Sequence, residues 1–144
     1  MKESHRFERD LELHETHLSI RTTLRWIGAE LDSSQAPGKT PLGALALLEA
    51  LQALHADLER HFELEEGGAF PFLHPQGGAP DADELERWRR EHRNLASRLD
   101  GILADLGRAA LAGSPVPEEL RPVLRRWFEA LANHERAESP SEGA

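Results

Sequence analysis

Leu47, Leu51, Leu54 and Leu58 step along the chain in fours and threes and lead directly into His61 and Glu65. That spacing is the core-facing stripe of an amphipathic helix. It puts an imidazole and a carboxylate on the buried side, four residues apart and pointing the same way. Polar groups inside a core need partners, and the need to supply them constrains what the rest of the chain can fold into.

Three further stripes carry the same signature. A first helix gives Leu13, His17, Ile20, Leu24, Ile27 and Leu31, and a third gives Leu85, Trp88, His92, Leu95, Leu99, Ile102 and Leu106. A fourth gives Leu120, Leu124, Trp127, Leu131, His134 and Glu138, repeating the four-residue step from His to Glu. Turn-forming stretches separate them: SSQAPGKTP, the Gly- and Pro-rich run from Gly67 to about Asp81, and Gly113 to Pro117. Thr40 before Pro41 is a helix-start signal, as are Asp81 or Asp83 followed by Glu84 or Glu86, and Glu118 and Glu119 suit a first turn. The expected helices are 7–31, 41–66, 83–112 and 117–138, with a disordered polar tail at 139–144.

Few β-branched residues, no strict alternation and a preponderance of Leu, Ala, Glu and Arg predict an all-α chain. Its 144 residues suffice for one domain with a real core. From the histidine to the far apolar end, each stripe spans 14 residues: His17 to Leu31, Leu47 to His61, His92 to Leu106 and Leu120 to His134. The histidine comes first in helices one and three and last in two and four. An up-down-up-down antiparallel four-helix bundle therefore brings all four to one end, with roughly 21 Å of apolar core beyond them.

His17, His61, Glu65, His92, His134 and Glu138 are the metal ligands expected in that layer. A lone core histidine is ordinarily a hydrogen-bonded structural residue. Four in one layer, two of them with a carboxylate one turn on, point to a metal instead. The chain has no cysteine, and imidazoles with carboxylates suit iron, manganese or zinc, while carboxylates able to bridge favour two ions. Two ferrous ions, offset by two carboxylates and a hydroxide, leave about one net positive charge, which a bundle core tolerates better than six uncompensated polar groups. Six protein ligands leave positions open to oxygen, nitric oxide, peroxide, azide or water.

Other residues read more plainly. His14, one turn before His17, ranks first as a further ligand, ahead of His74 and His5, and Glu66 is expected to be solvated or to support a ligand from behind. His55 reads as a surface residue, Trp26, Trp88 and Trp127 as packing residues, and Arg87, Arg89 and Arg90 as a solvated face paired with nearby Glu. Phe70, Phe72 and Leu73 are candidates for a hydrophobic lid over the metal end, or else simply finish the core. Ser139 and Pro140 oppose helical geometry just past Glu138, which leaves that carboxylate open to fraying.

Over roughly residues 10 to 138 the chain resembles the hemerythrin-like (HHE cation-binding) family. The resemblance rests on His17, on HFELEE with His61 and Glu65, on His92, and on HERAE with His134 and Glu138. It implies a four-helix bundle with a non-heme di-iron centre bridged by the two carboxylates, and roles in sensing or handling oxygen, nitric oxide, redox state or iron. Oxygen-carrying members have two histidines four apart in the third helix, where Trp88 and Ala96 flank His92 here. They also have an aspartate five residues after the last His, where Ser139 stands. Reversible oxygen carriage is therefore not the expected role.

A formal charge of −9 argues against nucleic acid as a partner, since that binding relies on a basic surface. No run is apolar enough to cross a membrane, and MKESHRFERD lacks the apolar core of a signal peptide, so a cytoplasmic monomer or homodimer is expected. The reading favours a di-iron protein that senses or handles a small diatomic, peroxide or iron. The alternatives are a di-iron oxidoreductase on the same centre and a helical interaction module whose polar layer is metal-free or holds zinc.

Overall fold

Each stripe closes into a helix on its own spacing, and the four stripes face one another. A computed structural model describes residues 2–33, 43–67 and 82–138; the side chains of 2–7, 9, 10, 33, 137 and 138 lie outside the description. Its elements are α1 (Lys2–Ser33), α2 (Ala44–Glu66), α3 (Ala82–Leu111) and α4 (Leu120–Glu138). The fold is all-α, a four-helix bundle of the hemerythrin-like kind, as the stripes lead one to expect.

Side-chain pairs fix the directions. Between α1 and α2, Glu12 meets Arg60, Thr16 meets His61 and Ser19 meets Asp57. His92 and Asp100 of α3 meet Glu66 and His55 of α2 in reverse order. Trp127 of α4 donates its indole N–H to the Leu95 carbonyl of α3 at 2.9 Å, and His134 lies against His92. The ring closes between α1 and α4: the buried Arg121 guanidinium donates to the Leu31 carbonyl at 3.2 Å, Arg125 pairs with Asp32, and Glu135 reaches back to His17. Successive helices therefore run antiparallel. Arg121 also sets a positive charge at the C-terminal end of α1, where the helix dipole favours one.

The leucine stripes form the core. One continuous apolar cluster runs from Ile20, Leu58, Phe62, Leu95 and Leu131 down to Leu31, Leu47, Leu106 and Leu120, with Trp127 and Leu124 fully buried. A second, small cluster pairs Leu13 with Leu64. His17, His61, Glu65, His92 and His134 are all buried, so the polar layer lies at the end of the bundle the sequence assigns to it. Among the described residues, no helix is long and apolar enough to cross a membrane.

The helix ends differ from expectation in instructive ways. α2 begins after Gly43, whose extended backbone (φ −72°, ψ 143°) forms an isolated bridge with Pro115 while the Ala44 N–H donates to the Ser114 carbonyl. Docking of the α3–α4 connection thus sets this start. Thr40 and Pro41 lie outside the described residues. α3 ends where Gly113 takes φ 66°, with the Ser114 N–H bonded to the Ala109 carbonyl and the Gly113 N–H to the Ala110 carbonyl, the Schellman arrangement that favours glycine. α4 starts at Leu120 because the preceding bond is a tight turn from the Leu120 N–H to the Pro117 carbonyl. Pro122, in the first turn, lacks an N–H that would have no helical partner there. Trp26 is not a core residue: it is 45 % exposed, beside the α1 stripe rather than on it. Residues 68–81 and 139–144, including Phe70, Phe72, Leu73, His74 and Asp81, lie outside the described residues.

Candidate metal centre

The polar layer contains two groups of three donors. His17, His61 and Glu135 form one, and Glu65, His92 and His134 the other; within each, one ligand atom from every residue lies within 4.8 Å of the others. His61 Nε2 joins them, 2.8 Å from Glu65 Oε1 and 3.4 Å from Glu135 Oε1. His17 Nδ1 is 3.0 Å from Glu135 Oε2, and the His92 and His134 Nε2 atoms face each other at 2.9 Å. His92 Nε2 is 4.0 Å from Glu65 Oε1.

The partners behind the imidazoles decide which nitrogens carry hydrogen. Thr16 Oγ1 spends its one hydrogen on the Leu13 carbonyl at 2.9 Å, so at 3.1 Å it accepts from His61 Nδ1–H. Glu66 Oε2 accepts from His92 Nδ1–H at 3.0 Å, and Glu91 Oε2 from His134 Nδ1–H at 2.6 Å. In each neutral ring the Nε2 lone pair then points inward, the arrangement that fixes a metal-ligating histidine. His61 Nε2 faces two carboxylates in this way, and His92 and His134 present lone pairs to each other. Phe62 stacks on His92 at 3.9 Å and 7° and meets His134 edge-on at 5.8 Å, which fixes both rings.

Such a set of facing acceptors fits cations. A proton relieves one contact, but the same atoms recur in several. Both Glu135 oxygens are buried and make no hydrogen bond of normal alignment, although His17 and His61 are at ion-pair distance. Burial pushes the Glu135 carboxyl up. Hydrogen bonds and positive charge from His17 and His61, were those rings protonated, would hold it well below the usual carboxylate range; with neutral rings a bound cation would have to do so instead. Donor separations near 3 Å are also what an ion needs when its bonds to nitrogen and oxygen are about 2.0–2.2 Å long. The chemistry of the donors, nitrogen and oxygen only, suits iron, manganese or zinc.

His17, His61, Glu65, His92 and His134, five of the six residues expected from the sequence, come together here. The sixth, Glu138, ends α4, and its side chain lies outside the described residues. Glu135, to which the stripe pattern assigned no role, provides the second carboxylate. Thr16 and Glu91 were missed as well, and a common signal links the three. Each is the immediate sequence neighbour of a stripe histidine, about 100° around the helix, where it meets the adjacent helix instead of the core axis. Glu66 supports His92 from behind, as one of its two expected roles had it. His14 is exposed and belongs to neither donor group, the side chain of His5 and the whole of His74 lie outside the description, and His55 pairs with Glu59 and Asp100 away from the site.

Comparison with known proteins gives one finding. No curated protein and no solved structure matches the chain. The sequence profile described as the hemerythrin HHE cation-binding domain matches residues 11–139, which takes in α1 from Leu11 onward, all of α2, α3 and α4, and every donor of the two groups. With a bundle of the right topology and a layer of donors that could hold metal ions, the chain belongs to the hemerythrin HHE cation-binding domain family.

Proposed function

We propose that this chain binds two iron ions and uses them to sense or handle a small molecule, namely oxygen, nitric oxide or peroxide, or iron itself, and does not serve as an oxygen carrier. The observation that carries this reading is geometric: an acceptor lies behind Nδ1 of His61, His92 and His134, while Nε2 points into the layer, 2.8 Å from Glu65 for His61 and at 2.9 Å between His92 and His134. His17, His61 and Glu135 would hold one ion and Glu65, His92 and His134 the other, with Glu65 and Glu135 close enough to His61 to draw the two groups together. Zinc or manganese fits the same donors.

Bound iron would supply a one-electron redox change and an open position for a small ligand. The chain's own residues keep the donors oriented and buried. Thr16, Glu66 and Glu91 hold the imidazole hydrogens outward, Phe62 packs across two rings, and the Leu13–Leu64 pair and the main core lie at either side of the layer. The absence of a second histidine one turn from His92, where Trp88 and Ala96 stand, supports a role other than carriage. The test is elemental analysis with an absorption spectrum of protein purified without chelator. About two irons per chain, with charge-transfer bands that change on reduction, is the expected outcome. Zinc, or no metal even after anaerobic ferrous reconstitution, would overturn the di-iron reading and leave the helical interaction module in its place.

A further inference from the structure

A cleft of about 640 Å³ lies between α3 and α4 on the outer side of His134. Arg87, Arg90 and Arg98 line it, on one face of α3 at steps of three, four and four residues through Asn94. Asn133 of α4 faces them, and Leu95 with Ala130 gives the cleft an apolar floor. Its volume is in the range of small-molecule sites.

The charges in this cleft are poorly compensated among the described residues. Arg89 pairs with Glu66 and Arg93 with Glu86, whereas Arg87, Arg90 and Arg98 form no ion pair among the described residues. The expectation that this Arg-rich face pairs with nearby Glu therefore holds for Arg89 and not for Arg87 or Arg90. Among the described residues Glu91 is the one carboxylate lining the cleft, and its Oε2 is engaged by His134 Nδ1–H at 2.6 Å. Three guanidiniums against one carboxylate leave the lining with two positive charges, on a chain whose net charge is −9. Like charges one turn apart on a helix repel, and an anion between them removes that cost. Arginine, with its planar fork of donors, is the side chain best suited to carboxylate or phosphate.

We propose that the cleft between α3 and α4 binds a small organic dianion, with Arg87, Arg90 and Arg98 pairing its charges and Leu95 and Ala130 receiving its apolar part. Arg87 and Arg90 share a turn, and Arg98 lies about 12 Å further along the axis than Arg90 at 1.5 Å per residue. Both a single phosphate group and two separated carboxylates can be matched. Asn94 and Asn133 add hydrogen bonds to whichever oxygens remain. The site does not depend on which metal the neighbouring centre holds.

The test is calorimetric titration at low salt with two probes: phenyl phosphate, which carries both charges on one group, and suberate, which carries one at either end. It is run on protein as purified and again after chelator has stripped the metal. Saturable one-to-one binding of either probe is expected in both samples, and the tighter of the two identifies the charge spacing the site prefers. Binding should weaken at least tenfold in Arg90→Gln/Arg98→Gln, a double variant at exposed positions whose folding is checked by its circular dichroism melt. It should not change in Arg125→Gln, whose charge sits against Asp32 of α1 and does not line the cleft. No saturable binding of either probe, equal binding by the double variant, an equal loss in Arg125→Gln, or binding that disappears with the metal would each overturn the proposal.

Discussion

The two halves of the polar layer are built from the same donor types but are supported differently. On the side of His17, His61 and Glu135, the acceptor behind His61 is a neutral hydroxyl, Thr16. On the side of Glu65, His92 and His134, both imidazoles are backed by carboxylates, Glu66 and Glu91, which are 32 % and 42 % exposed. A carboxylate behind an imidazole makes it a more basic donor than a hydroxyl does. The second half is also reached from outside by two clefts, one lined by His134 among arginines and one of about 500 Å³ lined by His92, Phe62, Glu59, Glu63 and Glu66. Among the described residues, carboxylate support behind both imidazoles and two adjoining clefts are therefore seen on the side of Glu65, His92 and His134. On the di-iron reading, the more basic imidazoles would hold an ion on this side.

The largest effect should come from breaking what the halves share. His61 touches both carboxylates, so His61→Ala is expected to reduce metal content to below about a tenth of wild type and to lower the melting temperature of metal-loaded protein, because bound metal contributes to folding stability. Elemental analysis and a thermal melt on the same sample read both. A variant that keeps its metal would contradict the grouping of donors.

The asymmetry itself is tested by the residues behind the rings. Glu91→Gln removes the charge behind His134 and should weaken metal binding about 10- to 100-fold. Thr16→Val, which removes a neutral acceptor, should cost less than about tenfold on the same scale. Competition with a chelator of known affinity measures the two, and equal losses would erase the distinction between the halves.

Smaller effects lie outside the donors. Trp127→Phe removes the bond to the Leu95 carbonyl, two turns from His134 and one turn from His92, and should cost about 1 kcal/mol of stability in urea titration. It should leave metal stoichiometry unchanged; a loss of metal would show that the bond also sets the register that brings His92 to His134. Smallest is Glu12→Gln. Arg60 holds the Glu12 carboxyl below its usual range, mainly through their paired hydrogen bonds. A depressed carboxylate contributes stability above its unfolded pKa, and that contribution is lost as pH falls through the lower folded value. Both side chains are about two-fifths exposed (41 % and 42 %), so the variant should cost at most about 0.5 kcal/mol near pH 7, less at high salt, and nothing in acid below the carboxylate range.

How much of this was legible in the sequence follows from what is local and what is not. The positions of His17, His61, Glu65, His92 and His134 on buried stripes are a property of helical period alone, and the equal counts to the apolar end made their common layer readable before any coordinates. Glu135 was not readable in that way. It lies off the α4 stripe and turns inward only because α1 packs beside it and brings His17 within 3.0 Å. Glu91 and Thr16 likewise matter through which helix flanks them, which the stripes do not encode. The start of α2 at Ala44 depends on a bridge from Gly43 to Pro115, more than seventy residues away in sequence. Trp26 shows the reverse error, an aromatic read as packing from its residue type when its place beside the stripe leaves it in solvent.

The central claim is that the layer holds two ions in two groups of donors. Its most direct test is metal per chain after anaerobic ferrous reconstitution, compared among wild type, His17→Ala and His92→Ala. The account predicts about two ions in wild type and about one in each variant, since each removes a donor from one group only. No bound ion in wild type, or variants that retain the full complement, would contradict it.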